Sequence, residues 1–222
     1  MRPLLCGFAL AVIAQMCTDA HADVAVGAEE PAAPVIAPTP VPRVDPAHEL
    51  SGRSLVEALR MGGYVLYMRH ALQIVPASGS CKAANLTPVG EDEARRVGAA
   101  IRELKIPIGE VRASEPCRNR DTARLLGLGD YVISEDLNPA GTHPGFDVHA
   151  ARFRQLAEVP PAGKNTLLVS HVHGSQKKEE WMQLQTAEII VYRPDGQGGT
   201  LPVARIRVEE WEGLTRLMGD KP

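Results

Sequence analysis

The sequence predicts an α/β fold, a three-layer α/β/α sandwich built on a mostly parallel central sheet. Short apolar runs bounded by turn-forming residues are typical of buried strands, and they alternate with segments of helical periodicity. Such alternation favours parallel strands with helices on both faces of the sheet. The length of 222 residues and the formal net charge of −3 are compatible with one domain plus appendages, and no basic stripe indicates nucleic-acid binding.

The N-terminal part of the chain is predicted to lie outside this domain. Residues 1–22 have the pattern of a secretory signal peptide, with an apolar run too short to span a bilayer and an Ala-His-Ala cleavage site at 20–22. The alternative is a short membrane anchor. Residues 23–48 form a Pro/Ala-rich linker that favours extended polyproline II. We therefore expect a folded domain over 49–222, no stable membrane span after signal removal, and a periplasmic or secreted protein.

Periodicity and turn residues define the elements of the predicted domain in order. In the first helix Ser51 can act as the N-cap, and in the second Thr87 is the predicted N-cap with Pro88 at the first helical position. Helices are predicted over Ser51–Met61, Pro88–Lys105, Pro116–Leu126 and Phe146–Ala157. Strands are predicted over Tyr64–Ala71, Glu110–Ala113, Tyr131–Ser134, Asn165–Ser170, Glu188–Arg193 and Val203–Val208, the last two as a hairpin.

Polar side chains of one chemical kind follow three of these strands. Arg69 and His70 end the first, Ser114 and Arg118 follow the second, and His171 ends the buried strand at residues 165–170. Because the carboxyl ends of parallel strands meet at one edge of a sheet, two imidazoles and two guanidiniums would converge there. Guanidinium matches phosphate oxygens in a two-pronged geometry, and a helix N-terminus adds backbone donors. The sequence therefore predicts an anion site.

The order and spacing of these motifs resemble the histidine phosphatase superfamily, also called phosphoglycerate-mutase-like, and in particular its small exported bacterial branch. The family's Arg-His-Gly motif corresponds to residues 69–71, where Ala71 replaces the glycine. Its Leu-Thr-x-x-Gly-x-x-Gln-Ala stretch corresponds to residues 86–94, where Glu93 replaces the glutamine. The remaining matches are Ser114, Arg118, Thr122 and Ala123 for the Ser-x-x-x-Arg-x-x-x-Thr-Ala stretch, and His171 for the second histidine.

The resemblance implies a metal-independent phosphoric monoester hydrolase that needs no cofactor. His70 would form a phosphohistidine that water then hydrolyses, while Arg69, Arg118 and His171 bind the phosphoryl group. The expected substrate is a phosphorylated small molecule or envelope component. Ser114 could contact the phosphate or only cap its helix.

The general acid is not identified by the motifs. Glu135 and Asp136 are candidates, and solvated loop charges are the alternative reading of both. The missing acid and Ala71 motivate a second hypothesis, a non-catalytic phosphate-binding member of the same fold. A third hypothesis is a phosphoglycerate-type mutase, against which the predicted export argues. Cys81 and Cys117 remain after signal cleavage and could form a disulfide in an oxidising compartment or stay as two thiols.

Overall fold

The structure of the protein is a computed structural model that describes residues 44–45, 47–75, 77, 80–139, 145, 147–172 and 184–219. The described residues all belong to the second of two units of the chain, Thr39–Pro222. The predicted signal peptide and nearly all of the predicted linker lie outside the described residues, so the domain boundaries stay predictions. No helix in the described part of the chain combines the length and apolarity that crossing a bilayer requires.

A helix or strand is present at every predicted position, with ends that differ by up to three residues, and Phe146, the predicted start of the fourth helix, lies outside the described residues. The helices are α1 (Gly52–Met61), α2 (Pro88–Glu103), α3 (Cys117–Leu126), α4 (Val148–Ala157) and α5 (Glu210–Gly219). The strands are β1 (Val65–Arg69), β2 (Ile108–Ala113), β3 (Tyr131–Ile133), β4 (Asn165–Ser170), β5 (Ile189–Pro194) and β6 (Thr200–Ile206). Helix α5 and a 3₁₀ turn at Glu135–Leu137 were not among the predictions.

The sheet has the strand order β3-β2-β4-β1-β5-β6 and is mostly parallel, as predicted. Strand β4 pairs in parallel with β1 on one side and with β2 on the other, and β2 pairs in parallel with β3. Strands β5 and β6 form an antiparallel hairpin that extends the sheet beyond β1. The mixed sheet therefore keeps its parallel part around β4, which is buried along its whole length.

Side chains of the central strands alternate between two apolar clusters, one on each face of the sheet. Leu66 and Met68 of β1 join a large cluster that includes buried residues of α1, α2, α3 and α5. Val65 and Tyr67 point to a smaller cluster with Leu156 of α4. This period of two is the ordinary consequence of strand geometry. Helices on both faces confirm the predicted three-layer sandwich.

The two predicted N-caps have different outcomes. Thr87 Oγ1 accepts a hydrogen bond of 3.0 Å from the amide of Gly90, and Pro88 is the first helical residue of α2, as predicted. The predicted side-chain cap at Ser51 is wrong, because its hydroxyl makes no such bond at the start of α1. The carbonyl of Ser51 instead accepts a hydrogen bond from Ser54 Oγ.

Helices α2 and α3 pack against each other at Gly98, which has no side chain. A Cβ placed on Gly98 would overlap the carbonyl group of Leu126, the last residue of α3. Arg102, one turn further along α2, donates a hydrogen bond of 2.6 Å to the same carbonyl oxygen. Glycine at residue 98 thus allows the backbone of α3, which carries Arg118, to sit close to α2.

We expect Gly98→Ala to lower the free energy of unfolding by about 1–3 kcal/mol, because the added methyl forces the two helices apart. Gly213→Ala is the matched control, since a Cβ at that position in α5 meets nothing within 4 Å. This control should raise the free energy of unfolding by about 0.5–1 kcal/mol through helix propensity. Urea unfolding of both variants measures the effect, and stabilisation by both substitutions would contradict the close contact.

Candidate active site

The ends of β1, β4 and β2 lie at one level of the sheet because the strands are in parallel register. The amide of His70 donates to the carbonyl of Ser170 at 3.0 Å, and the amide of Ser114 donates to the carbonyl of Val169 at 3.0 Å. His171 follows directly after β4. The imidazole rings of His70 and His171 stand edge to face, with ring centroids 5.7 Å apart.

The protonation of His70 follows from its one described side-chain hydrogen bond. Its Nδ1 lies 2.9 Å from the carbonyl oxygen of Ala71, which can only accept, so Nδ1 carries the proton and Nε2 keeps its lone pair. The residue is only 3% exposed, and burial lowers the pKa of His70 to about 4, helped by the charges of Arg118 and Arg69. The Ala71 hydrogen bond opposes this shift without reversing it. His70 is therefore a neutral imidazole at neutral pH.

His171 has the opposite tautomer. Arg118 Nη2 lies 3.3 Å from Nδ1, and because a guanidinium nitrogen only donates, Nδ1 is the acceptor. The proton then sits on Nε2, which donates to Ser114 Oγ at 2.9 Å, and Ser114 Oγ donates in turn to Asn138 Oδ1 at 2.9 Å. Burial, followed by the charge of Arg118, lowers the pKa of His171 to about 2. The hydrogen bonds set the tautomer of His171, and its lowered pKa makes it a second neutral imidazole.

Two arginines bring fixed positive charge to the histidines. Arg69 Nη1 donates to the carbonyl of Leu184 at 2.6 Å, and Arg118 contacts His171 as described. Burial lowers the pKa of both arginines, although guanidinium stays charged at any physiological pH. The Nε of each is buried with no hydrogen-bond partner among the described residues. Buried donors without acceptors beside two imidazoles fit an oxyanion.

Helix α3 holds the segment that follows β1. Thr122 Oγ1 accepts from the amide of Ala71 at 3.1 Å and donates to the carbonyl of Arg118 at 2.7 Å. Asn119 Nδ2 donates to the carbonyl of Ser170 at 2.7 Å. Ala71 is fully buried in the large apolar cluster, and in the described part of the chain only Lys105 and Ala187 are non-glycine residues with positive φ. The methyl that replaces the motif glycine is therefore accommodated without a left-handed backbone.

A disulfide joins Cys81 to Cys117, with Cα atoms 4.9 Å apart. Cys117 is the first residue of α3 and directly precedes Arg118. Close to this bridge, Asn85 Nδ2 donates to Asp121 Oδ2 of α3 at 3.2 Å. The loop that follows β1 is thus tied at two points to the helix that carries Arg118.

Comparison with known proteins identifies solved structures that share the fold of this chain. No protein-family model matches the chain, and no curated protein sequence matches it. Among solved structures, the protein histidine phosphatase SixA complexed with tungstate aligns with a TM-score of 0.54 and 21% identity, covering 66% of this chain and 98% of that chain. The chain has the histidine phosphatase fold. A candidate alpha-ribazole-5'-P phosphatase from Escherichia coli aligns with a TM-score of 0.50 and 13% identity, over 66% of this chain and 98% of that chain.

Within this histidine phosphatase fold, neither predicted general acid is joined to the histidine–arginine cluster. Both carboxylate oxygens of Asp136 are engaged by α4, at 3.0 Å from Arg154 Nη2 and 3.0 Å from Gln155 Nε2. Glu135 is exposed at the start of the 3₁₀ turn. Among the described carboxylates, that of Glu115 is linked to His171 by hydrogen bonds through Asn138 and Ser114, and its Oε2 accepts from Asn138 Nδ2 at 2.9 Å. The charges of Glu93 and Glu188 raise the pKa of Arg69, against the larger effect of burial.

Sequence reasoning missed two supporting residues. Asn138 is fully buried and links Ser114 to Glu115, but an Asn before Pro ordinarily signals only a turn. At Glu93 the sequence indicates only a departure from the family pattern. Its carboxylate accepts from the amide of Leu72 at 2.9 Å and from Thr186 Oγ1 at 2.8 Å, so it joins the loop after β1 to the turn before β5.

The histidine protonation states predict how stability depends on pH. The folded-state pKa values lie below the ordinary 6.5, so between about pH 4 and 6.5 the unfolded chain binds more protons. The free energy of unfolding should therefore fall as pH drops from 6.5 to 5, by about 1–2 kcal/mol for each histidine. Urea unfolding at both pH values measures this loss.

His70→Gln should remove its own share of that pH dependence, because glutamine does not titrate. His48→Gln is the control, since His48 lies outside the cluster and pairs only loosely with Asp45, at 4.0 Å. An unchanged pH dependence in His70→Gln would show that His70 is not held neutral in the fold.

Proposed function

We propose that the protein is a phosphatase of the histidine phosphatase type, which hydrolyses phosphate monoesters through a phosphohistidine on His70. The observation that carries this proposal is the 2.9 Å contact between His70 Nδ1 and the carbonyl oxygen of Ala71. Its Nδ1 donates to the carbonyl of Ala71, so Nε2 holds an unshared pair, and burial keeps the ring neutral. A neutral imidazole nitrogen is the state that a histidine nucleophile requires.

In the first step, Nε2 of His70 attacks phosphorus while the bond from phosphorus to the ester oxygen breaks. The ester oxygen leaves as an alcohol, taking its proton from a solvent water molecule. The imidazole gains positive charge as the N–P bond forms, and the Ala71 carbonyl that accepts from Nδ1 stabilises that charge. The guanidiniums of Arg69 and Arg118, whose buried Nε donors lack described partners, stabilise the negative oxygens of the transferring group.

In the second step, a water molecule attacks phosphorus and the N–P bond breaks. The attacking water releases its proton to the solvent, inorganic phosphate leaves, and His70 returns to its neutral form. His171 stays neutral in both steps and exchanges no proton with the substrate. Its Nε2 donates to Ser114 and its Nδ1 accepts from Arg118, and these two hydrogen bonds orient its ring. All of these steps use groups of the chain, the substrate and water.

The fold comparison supports the class of ligand. The protein histidine phosphatase SixA, whose fold this chain shares, was solved with tungstate, an oxyanion of the same tetrahedral shape as phosphate. A cluster of buried guanidiniums and neutral imidazoles suits such an anion. We propose a phosphorylated small molecule or envelope component as the substrate class.

We also propose that the protein is exported. The signal-like pattern of residues 1–22 is the ground for this inference, and the Cys81–Cys117 disulfide fits an oxidising compartment.

His70→Ala should lower the kcat for para-nitrophenyl phosphate at least about a thousandfold, because the covalent step loses its nucleophile. His48→Ala, the same change outside the cluster, should retain wild-type activity. Incubation with a radiolabelled phosphate ester followed by rapid quenching should trap an acid-labile phosphoenzyme in the wild type and none in His70→Ala. Undiminished hydrolysis by His70→Ala would overturn the assignment, and a wild type that binds phosphate without hydrolysis would indicate a binding module.

Export predicts a mature N-terminus at Asp23. After expression of the full chain in a bacterial host, mass spectrometry of the periplasmic fraction should find a protein that begins there. An Ala20→Leu, Ala22→Leu double variant should accumulate uncleaved, because the small side chains of the cleavage site are lost. An intact N-terminus at Met1 in the cytoplasmic fraction would contradict export.

A further inference from the structure

The carboxylate of Glu93 bridges two segments that surround the end of β1. One oxygen accepts from the amide of Leu72, two residues after His70, at 2.9 Å, and the other accepts from Thr186 Oγ1 at 2.8 Å. The motif that this stretch resembles has a glutamine at the position of Glu93. A glutamine can make both contacts, because its amide oxygen accepts and its amide nitrogen donates to a hydroxyl oxygen. The hydrogen bonds therefore do not require a carboxylate, and the negative charge is what sets Glu93 apart.

The first of the two segments is fixed to α2 on both sides of Leu72. The carbonyl of Leu72 accepts from the amide of Thr87 at 2.9 Å, while its amide donates to Glu93. A Cβ placed on Gly90 would overlap the backbone of Leu72, so this segment and the helix are in close contact. The Glu93 carboxylate therefore has a fixed place beside the segment that begins with His70.

The second segment is the turn before β5, which holds Arg69. The carbonyl of Leu184 accepts from Arg69 Nη1 at 2.6 Å, and the carbonyl of Glu188 accepts from the amide of Arg69 at 3.1 Å. Thr186, which donates to Glu93, lies between these two contacts in the chain. The carboxylate is therefore bonded to the same turn that holds the backbone and the guanidinium of Arg69.

Two carboxylates act on the charge of Arg69, and only one of them is balanced by a cation of its own. Burial lowers the pKa of Arg69, and the charges of Glu93 and Glu188 oppose that lowering. Glu188 is paired with Arg205, which binds both of its carboxylate oxygens. Glu93 forms no ion pair with a lysine or arginine in the described part of the chain. Its negative charge is thus left unbalanced beside the turn that holds Arg69.

A phosphate group held by Arg69 would be subject to both charges. The guanidinium attracts the anion, while a carboxylate fixed nearby repels it and offsets part of that attraction. Inorganic phosphate is the product of a phosphatase and must leave before the next turnover, so excessive affinity for it slows the enzyme. A carboxylate at this position therefore favours release of phosphate, whereas an amide would favour its retention.

From these contacts we infer that Glu93 is a positioning residue that acts through Arg69, and that its fixed carboxylate lowers the affinity of the site for phosphate and so favours product release. The inference rests on the proposed function, because it takes inorganic phosphate as the product. It separates Glu93 from a purely structural clasp, which a glutamine would replace without any change in anion binding.

Glu93→Gln removes the charge and keeps both hydrogen bonds. At low ionic strength its dissociation constant for inorganic phosphate should be about fivefold lower than that of the wild type, the effect of one unit charge near a partly hydrated site. The constant for product inhibition of para-nitrophenyl phosphate hydrolysis should fall by the same factor. Isothermal titration calorimetry and steady-state kinetics measure the two constants.

Two control variants accompany this test. Glu103→Gln makes the same chemical change at an exposed residue about 15 Å further along α2, and both constants should equal those of the wild type. Thr186→Val removes one hydrogen bond to the carboxylate but keeps its charge, so the dissociation constant for phosphate should not fall.

The outcomes separate this inference from the reaction itself. An unchanged or weaker affinity for phosphate in Glu93→Gln would overturn the role of the charge. An equal gain in Glu103→Gln or in Thr186→Val would also overturn it, because net charge or loosening of the turn would then explain the effect. A phosphoenzyme trapped in the wild type leaves the proposed function standing in each of these cases. A wild type that forms no phosphoenzyme would overturn the proposed function, and the role in product release with it.

Discussion

The parallel pairing of β4 with β1 and β2 is the constraint on which the site depends. In this register Arg69 of β1 lies opposite Ser170 of β4, and Ala113 of β2 lies opposite Val169. The residues that follow each strand, His70, His171 and Ser114, therefore leave the sheet together. A one-residue shift of the register would turn the side chains of the shifted strand to the other face of the sheet and would disrupt this convergence.

Burial determines the protonation state of the two histidines at this edge of the sheet. Burial lowers the pKa of both imidazoles, so both are neutral near pH 7 and His70 becomes a candidate nucleophile. The same burial leaves the Nε donors of Arg69 and Arg118 without partners among the described residues, and an unpaired buried donor costs free energy. Under the proposed function, the oxygens of a phosphoryl group supply acceptors and negative charge for these donors.

Helix α3 is bonded to several segments around the site. Its residues anchor three different segments: Asn119 holds the end of β4, Thr122 holds Ala71, and Cys117 holds the loop after β1. Gly98 lets the helix pack closely on α2. Arg118 therefore belongs to an element whose position is fixed from several sides, and this matters because guanidinium recognition of phosphate depends on direction as well as on charge.

The sequence by itself determined the fold class, the order of the elements, and the residues that converge as Arg69, His70, Arg118 and His171. Those features follow from local patterns, namely apolar periods, caps and polar residues at strand ends, which a chain carries without folding. The sequence did not show that Asn138 and Glu93 form hydrogen bonds that hold the site together. It also suggested Asp136 as a general acid, whereas in the fold this carboxylate bonds to side chains of α4. Those assignments depend on distances between segments far apart in the chain. Tertiary structure alone decided the tautomers of the two histidines and the burial that keeps them neutral, because both depend on partners brought close only by packing.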